Sequence, residues 1–123
     1  MNQNGYQQYK AQSVATMTKG EMLLLLYDEL AKRLTRAEIA LESQDYEIFE
    51  ASVTRSKEIV RYLNDTLDRS YQIAGELYRV YDFFLYELSR LQASRNKSII
   101  GELKPLIKDI RDAFAEAEKK ADV

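Results

Sequence analysis

Residues Ile73 to Leu91 read IAGELYRVYDFFLYELSRL. At about 100° per residue, Ile73, Leu77, Val80, Tyr81, Phe84, Leu88 and Leu91 fall on one stripe, the spacing of a core-facing helix. Ala74, Tyr78 and Leu85 widen the apolar arc to roughly 160°, while Phe83 and Tyr86 lie on other sides of the same helix. A surface helix needs a narrower stripe than this. The segment is therefore either the central helix of its bundle or a helix with a second surface to bury.

The flanking sequence supplies three more helices. Upstream, Tyr46 to about Leu67 carries Tyr46, Phe49, Val53, Ser56, Val60, Leu63 and Leu67 at alternating spacings of three and four. That is a heptad seam of the kind that packs in left-handed bundles. Ile48, Ile59 and Tyr62 form a thinner apolar strip beside it. Before it, Thr18-Lys19-Gly20-Glu21 is a capping box. The helix it opens runs to about Ser43 on Leu23, Leu26, Tyr27, Leu30, Leu34, Ala37 and Leu41, with Leu24, Leu25 and Ile39 off that stripe. Downstream, Ile100, Leu103, Ile107, Ile110, Phe114 and Ala117 repeat the heptad pattern. Pro105 interrupts it, so this last helix is kinked there or begins near Lys104 after a separate short turn. The tail from Glu118 reads as frayed. Ser43-Gln44-Asp45, Asp68-Arg69-Ser70 and Ser94 to Ser98 are the connections, with Asp45, Asn96 and Ser98 as N-caps. Four amphipathic segments on short connections predict an all-α, antiparallel up-down four-helix bundle over residues 18–123. Residues 1–17 are polar and aperiodic. They are either a frayed terminus or an arm that lies on the domain through Tyr9 and Val14.

Composition removes several functions. The chain has 123 residues, 46% of them hydrophobic and 31% charged, enough for one domain with a real core. Lys and Arg number 18 against 20 Asp and Glu, a near-balance that offers no broad basic field for nucleic acid. Cysteine and histidine are both absent, which excludes disulfides and thiolate metal sites and removes the commonest metal ligand and general base. No Gly-rich phosphate loop occurs, and no metal or cofactor is expected. No apolar run reaches the roughly 20 residues of a membrane span, and the first residues lack a signal peptide's apolar centre, so a cytoplasmic protein without membrane insertion is expected. Asp28 and Asp82 each follow a Tyr in similar settings. A buried acid pair is one reading; helix-surface acids bonding a neighbouring Tyr, Lys or Arg is the favoured one. An enzyme is not expected.

Surplus apolar surface is what composition leaves. Leu24, Leu25, Ile39, Ile48, Ile59, Tyr62, Tyr78, Leu85 and Tyr86 exceed the singletons that any soluble protein exposes. Ile59, Tyr62, Tyr78 and Leu85 lie on the flanks of two sequence-adjacent helices. If those flanks converge, they form a groove suited to an amphipathic partner helix, with Ile48 beside it and Tyr81 at its edge. Nine Tyr and four Phe without Trp also suit an interface. Composition favours helix binding somewhat over self-association.

In this order along the chain, several motifs resemble the flagellin-specific export chaperones, the FliS family of bacterial flagellar proteins. Tyr9 precedes Val14-Ala15-Thr16. Glu21-Met22-Leu23-Leu24-Leu25-Leu26-Tyr27-Asp28 opens the first helix. Ile59 to Asp68 reads IVRYLNDTLD, Leu77 to Asp82 reads LYRVYD, and Ile110 to Phe114 reads IRDAF. Two departures stand out: Lys19 where the family often has proline, and Phe114 where Trp is common. The resemblance implies a cytoplasmic helical bundle without catalysis, serving flagellar type III secretion. It implies binding of the C-terminal segment of flagellin, disordered when free and helical when bound, which blocks premature polymerisation and assists export. It also implies an N-terminal arm, carrying Tyr9, that occupies part of the groove in the free protein. Export-gate components or a co-chaperone are further expected partners. The alternative from another class is a self-associating helical-bundle adaptor.

Overall fold

The computed structural model describes residues 17–121, all-α among them. The helices are α1 (Lys19–Glu42), α2 (Tyr46–Asp65), α3 (Ala74–Ser94) and α4 (Lys97–Ala121). The expectations for Tyr9 and Val14 lie outside the described residues.

Local chemistry sets the helix ends. The Thr18 hydroxyl accepts from the Glu21 amide at 3.1 Å, half of the expected capping box. The Thr18 hydroxyl in turn donates to the Glu118 carboxylate at 3.1 Å, tying this end of the helix to α4. Asp45 accepts from the Ile48 amide at 3.2 Å and so caps α2. The Asn96 side chain accepts from the Ser98 amide at 3.0 Å at the start of α4. Between α3 and α4 only Arg95 and Asn96 intervene. Arg95 takes a left-handed conformation, φ 54°, and its amide closes on the Leu91 carbonyl. Its guanidinium lies 3.9 Å from the centre of the Tyr46 ring, tying this corner to α2.

The four helices form a closed ring in which α1 packs on α2 and α4, α2 on α3, and α3 on α4. Neighbours run antiparallel. Thr18 meets Glu118 at one end of the α1–α4 seam, and Lys97 meets Glu42 at the other. Gln92 bridges Glu50 and Lys57 across the α2–α3 seam. The predicted stripes fill the interior: Tyr27, Leu30 and Leu34 from α1; Phe49, Val53, Val60 and Leu63 from α2; Leu77, Phe84, Leu88 and Leu91 from α3; Ile100, Leu103 and Ile107 from α4. Burial of each such side chain contributes about 1.5–3 kcal/mol before ordering costs. Phe114 stacks on Tyr27 with ring centres 5.7 Å apart. The aromatic ring that the chain keeps there does the packing.

For α4 one of the two alternatives at Pro105 is excluded and the expected fraying is corrected. The helix starts at Lys97 and runs through Pro105, so no separate turn precedes it. Pro105 is exposed, and so is Gly101 four residues earlier, whose carbonyl loses its amide donor. Water can solvate that carbonyl, which is why the interruption is tolerated. Nor does the helix fray at Glu118. It continues to Ala121, with Glu118 held by Thr18.

Asp28 and Asp82 do not form a buried pair. Asp28 accepts from Arg111 of α4 at 3.1 Å, and Asp82 is exposed. Among the described residues no group of three or more carboxylates is placed to hold a metal ion, and no helix is long and apolar enough to cross a membrane.

Candidate partner-binding surface

The six residues expected to line one groove are not brought together. Ile59 is 2% exposed and Tyr81 is 1% exposed, so both belong to the core. Ile59 sits at the margin of the α2 stripe that faces α1. The Tyr81 hydroxyl reaches the centre of the bundle and hydrogen-bonds that of Tyr27. Burial holds both phenols protonated above the ordinary tyrosine range, and for Tyr27 the neighbouring Tyr81 adds to the effect.

The remaining four divide between two seams. Glu50 and Lys57 mark the flank of α2 that faces α3, through their bonds to Gln92. At 100° per residue, Ile48 and Tyr62 lie roughly 150° around α2 from that flank, on the side toward α1. Tyr78 and Leu85 share the Gln92 flank of α3 and face α2. Leu85 is half-buried against the core, and the Tyr78 ring lies under the Arg69 guanidinium, 5.3 Å from it. The flanks therefore do not converge, and the groove expected between Tyr62 and Tyr78 is absent.

Apolar surface is nonetheless abundant: Leu25 and Ile39 of α1 and Tyr46 and Ile48 of α2 are exposed, and further exposed apolar side chains, mostly aromatic, lie on α3 and near it. Tyr62 (51% exposed) ends α2; Tyr71 and Ile73 are exposed in the α2–α3 connection; Tyr78, Phe83 and Tyr86 are exposed on α3 itself. Leu106 of α4, 43% exposed, continues the patch past the α3–α4 seam. Phe83 is half-exposed yet has its ring 6.2 Å from that of the buried Phe84, so it is held in place. Aromatic residues fixed by core neighbours and interspersed with arginines have the composition of interface centres. The off-stripe positions of Phe83 and Tyr86 were visible in the α3 sequence. Ile73, expected on the core stripe, is 53% exposed because the helix begins only at Ala74; Tyr71 and Leu106 were not singled out.

Comparison with known proteins gives this surface a context. The family model described as "Flagellar protein FliS" matches residues 2–121. The chain belongs to the FliS family. The Flagellar secretion chaperone FliS of Bacillus subtilis (strain 168) is 30% identical over 115 residues, covering 94% of this chain and 86% of that protein. A solved structure titled "Crystal structure of flagellar chaperone from bacteria" superposes with a TM-score of 0.81 over 95% of this chain and 97% of that one. At 14% identity it supports the fold. Membership in FliS makes the chain a flagellar secretion chaperone by family.

Proposed function

We propose that this FliS-family chain binds the C-terminal segment of flagellin in the cytoplasm, keeps it from polymerising early and delivers it for export. The observation that carries the reading is the exposed aromatic belt on α3 and its flanks, on a bundle whose core is complete without it. Tyr78, Phe83 and Tyr86 are 40%, 47% and 64% exposed. Covering three such side chains supplies about 2–5 kcal/mol, part of which is spent ordering an incoming disordered segment. A long but moderate contact is what a chaperone that must release its client needs. Ile59 and Tyr81 stabilise the scaffold in this reading.

Calorimetric titration with a flagellin C-terminal peptide, followed by circular dichroism of the mixture, tests it. One-to-one binding, a negative heat-capacity change and gained helix are expected. Exchanging Tyr78 and Tyr86 for Asp should weaken binding at least about tenfold while the bundle keeps its helical spectrum. Absence of binding by the folded wild-type protein would refute the reading. Self-association detected by sedimentation would then become the better account of the belt.

A further inference from the structure

Along α2, Glu50, Lys57 and Asn64 recur every seven residues and form one line on the flank that faces α3. Along α3, Gln92, Leu85 and Tyr78 form the facing line at the same spacing. Gln92 fills one part of this seam. Its amide donates to Glu50 at 2.8 Å, and its side-chain carbonyl accepts from Lys57 at 2.8 Å. Because the two helices are antiparallel, a Gln92 set between Glu50 and Lys57 places Asn64 between the levels of Leu85 and Tyr78. The α3 line therefore offers Asn64 no polar group to match its amide. The Tyr81 hydroxyl, inward of that line, is already bonded to that of Tyr27.

The Asn64 side chain shows the consequence. Its Oδ1 is buried and, among the described residues, is the one buried side-chain nitrogen or oxygen without a hydrogen-bond partner. Polar side chains just beyond it are engaged. The Thr66 hydroxyl donates to the Tyr62 carbonyl at 2.7 Å, and Asp68 accepts from the amide and the hydroxyl of Ser70. Asn64 as a whole is only partly buried, so its oxygen lies just under the surface and not in the centre of the core. Tyr78, the next residue of the facing line, is 40% exposed and carries the Arg69 guanidinium against its ring. A buried acceptor left unpaired weakens the free protein. A partner that supplies the missing donor removes that penalty and binds more tightly for it.

We infer that Asn64 is a client-recognition residue, whose Oδ1 accepts a hydrogen bond from an N–H of the flagellin segment that lies over Tyr78. The inference deepens the chaperone reading and rests on it. The client's own folding supplies the donor, because a disordered segment that becomes helical leaves the first N–H groups of its helix without intrahelical partners. One unpaired group on each side then satisfies the other. A segment that cannot place an N–H at this point leaves the oxygen unmet, which gives the seam a preference that apolar contact alone lacks.

Two exchanges at this position test it in the full chain. Asn64→Leu keeps the bulk of the side chain and removes its polar atoms. The free variant should resist urea at least as well as the wild type, and in calorimetry it should bind a flagellin C-terminal peptide about tenfold more weakly. Asn64→Asp keeps an acceptor oxygen and should bind within about threefold of the wild type. A Leu variant that unfolds at lower urea would show that the oxygen is already served inside the free bundle, and would overturn the inference. So would binding lost as much by Asp as by Leu. A folded wild type that binds no flagellin peptide refutes the chaperone reading and the inference with it. Wild-type binding that survives the Leu exchange unchanged refutes the inference alone.

Discussion

The Tyr27 and Tyr81 hydroxyls bond one another across the bundle, from α1 to α3, in a core whose other apolar side chains are aliphatic or Phe. Replacing either with Phe strands the other hydroxyl, at a cost of about 1–3 kcal/mol, whereas replacing both removes the pair together and should cost less than the two single changes summed. Chemical denaturation of the two singles and the double reads this directly; a double as costly as the sum would mean that the hydroxyls act independently. The pair also predicts alkaline sensitivity. Burial raises both phenol pKa values above the ordinary value near 10. A raised folded-state pKa means that the unfolded chain ionises first. Stability contributed by the protonated pair is complete below about pH 10 and is lost as pH rises past it, by up to about 1.4 kcal/mol per pH unit for each group. The Tyr27→Phe, Tyr81→Phe protein should show a shallower decline over the same range, and equal slopes would show that other groups control it.

At the scale of helices, Pro105 sets an instructive exchange. Its neighbours leave the freed Gly101 carbonyl in solvent, so Pro105→Ala should restore one helical bond without disturbing the core. A gain of about 1–3 kcal/mol in urea unfolding is expected. A loss would mean that the proline shapes α4 for packing that an unbroken helix cannot achieve. The same helices show where sequence reading reached and where it stopped. Heptad spacing identified nearly all the residues of each buried stripe, because a soluble helix can satisfy its apolar face only inward. It could not say which flank of one helix meets which flank of the next. Tyr62 and Tyr78 are each correctly outside the core, yet they sit on seams that do not adjoin, since their positions around the ring depend on packing that no single helix encodes. Ile59 failed for another reason: it lies near the edge of its stripe, where a few degrees of helical drift decide burial. Tyr81 was placed both on the core stripe and at the groove's edge; the stripe placement holds, because a hydroxyl partner from α1 makes the interior acceptable.

Across the whole molecule the ring is closed unevenly. α1 is clasped on both sides by α2 and α4, and its two ends are pinned to α4 by the Thr18–Glu118 and Glu42–Lys97 contacts. α3 leans chiefly on α2 and opens toward α4. Local opening should follow that asymmetry, because amides exchange from whatever partial unfolding breaks the fewest apolar contacts. Native-state hydrogen exchange should therefore find α3 and the C-terminal turns of α4 least protected and the middle of α1 most protected, even though all four helices are similarly formed. In the proposed reading, a flagellin C-terminal peptide that covers Tyr78, Phe83 and Tyr86 should raise protection in α3 far more than in α1. Protection gained evenly along the chain would mean that binding stabilises only the global fold. Protection confined to α1 and α2 would place the partner on the opposite side of the bundle.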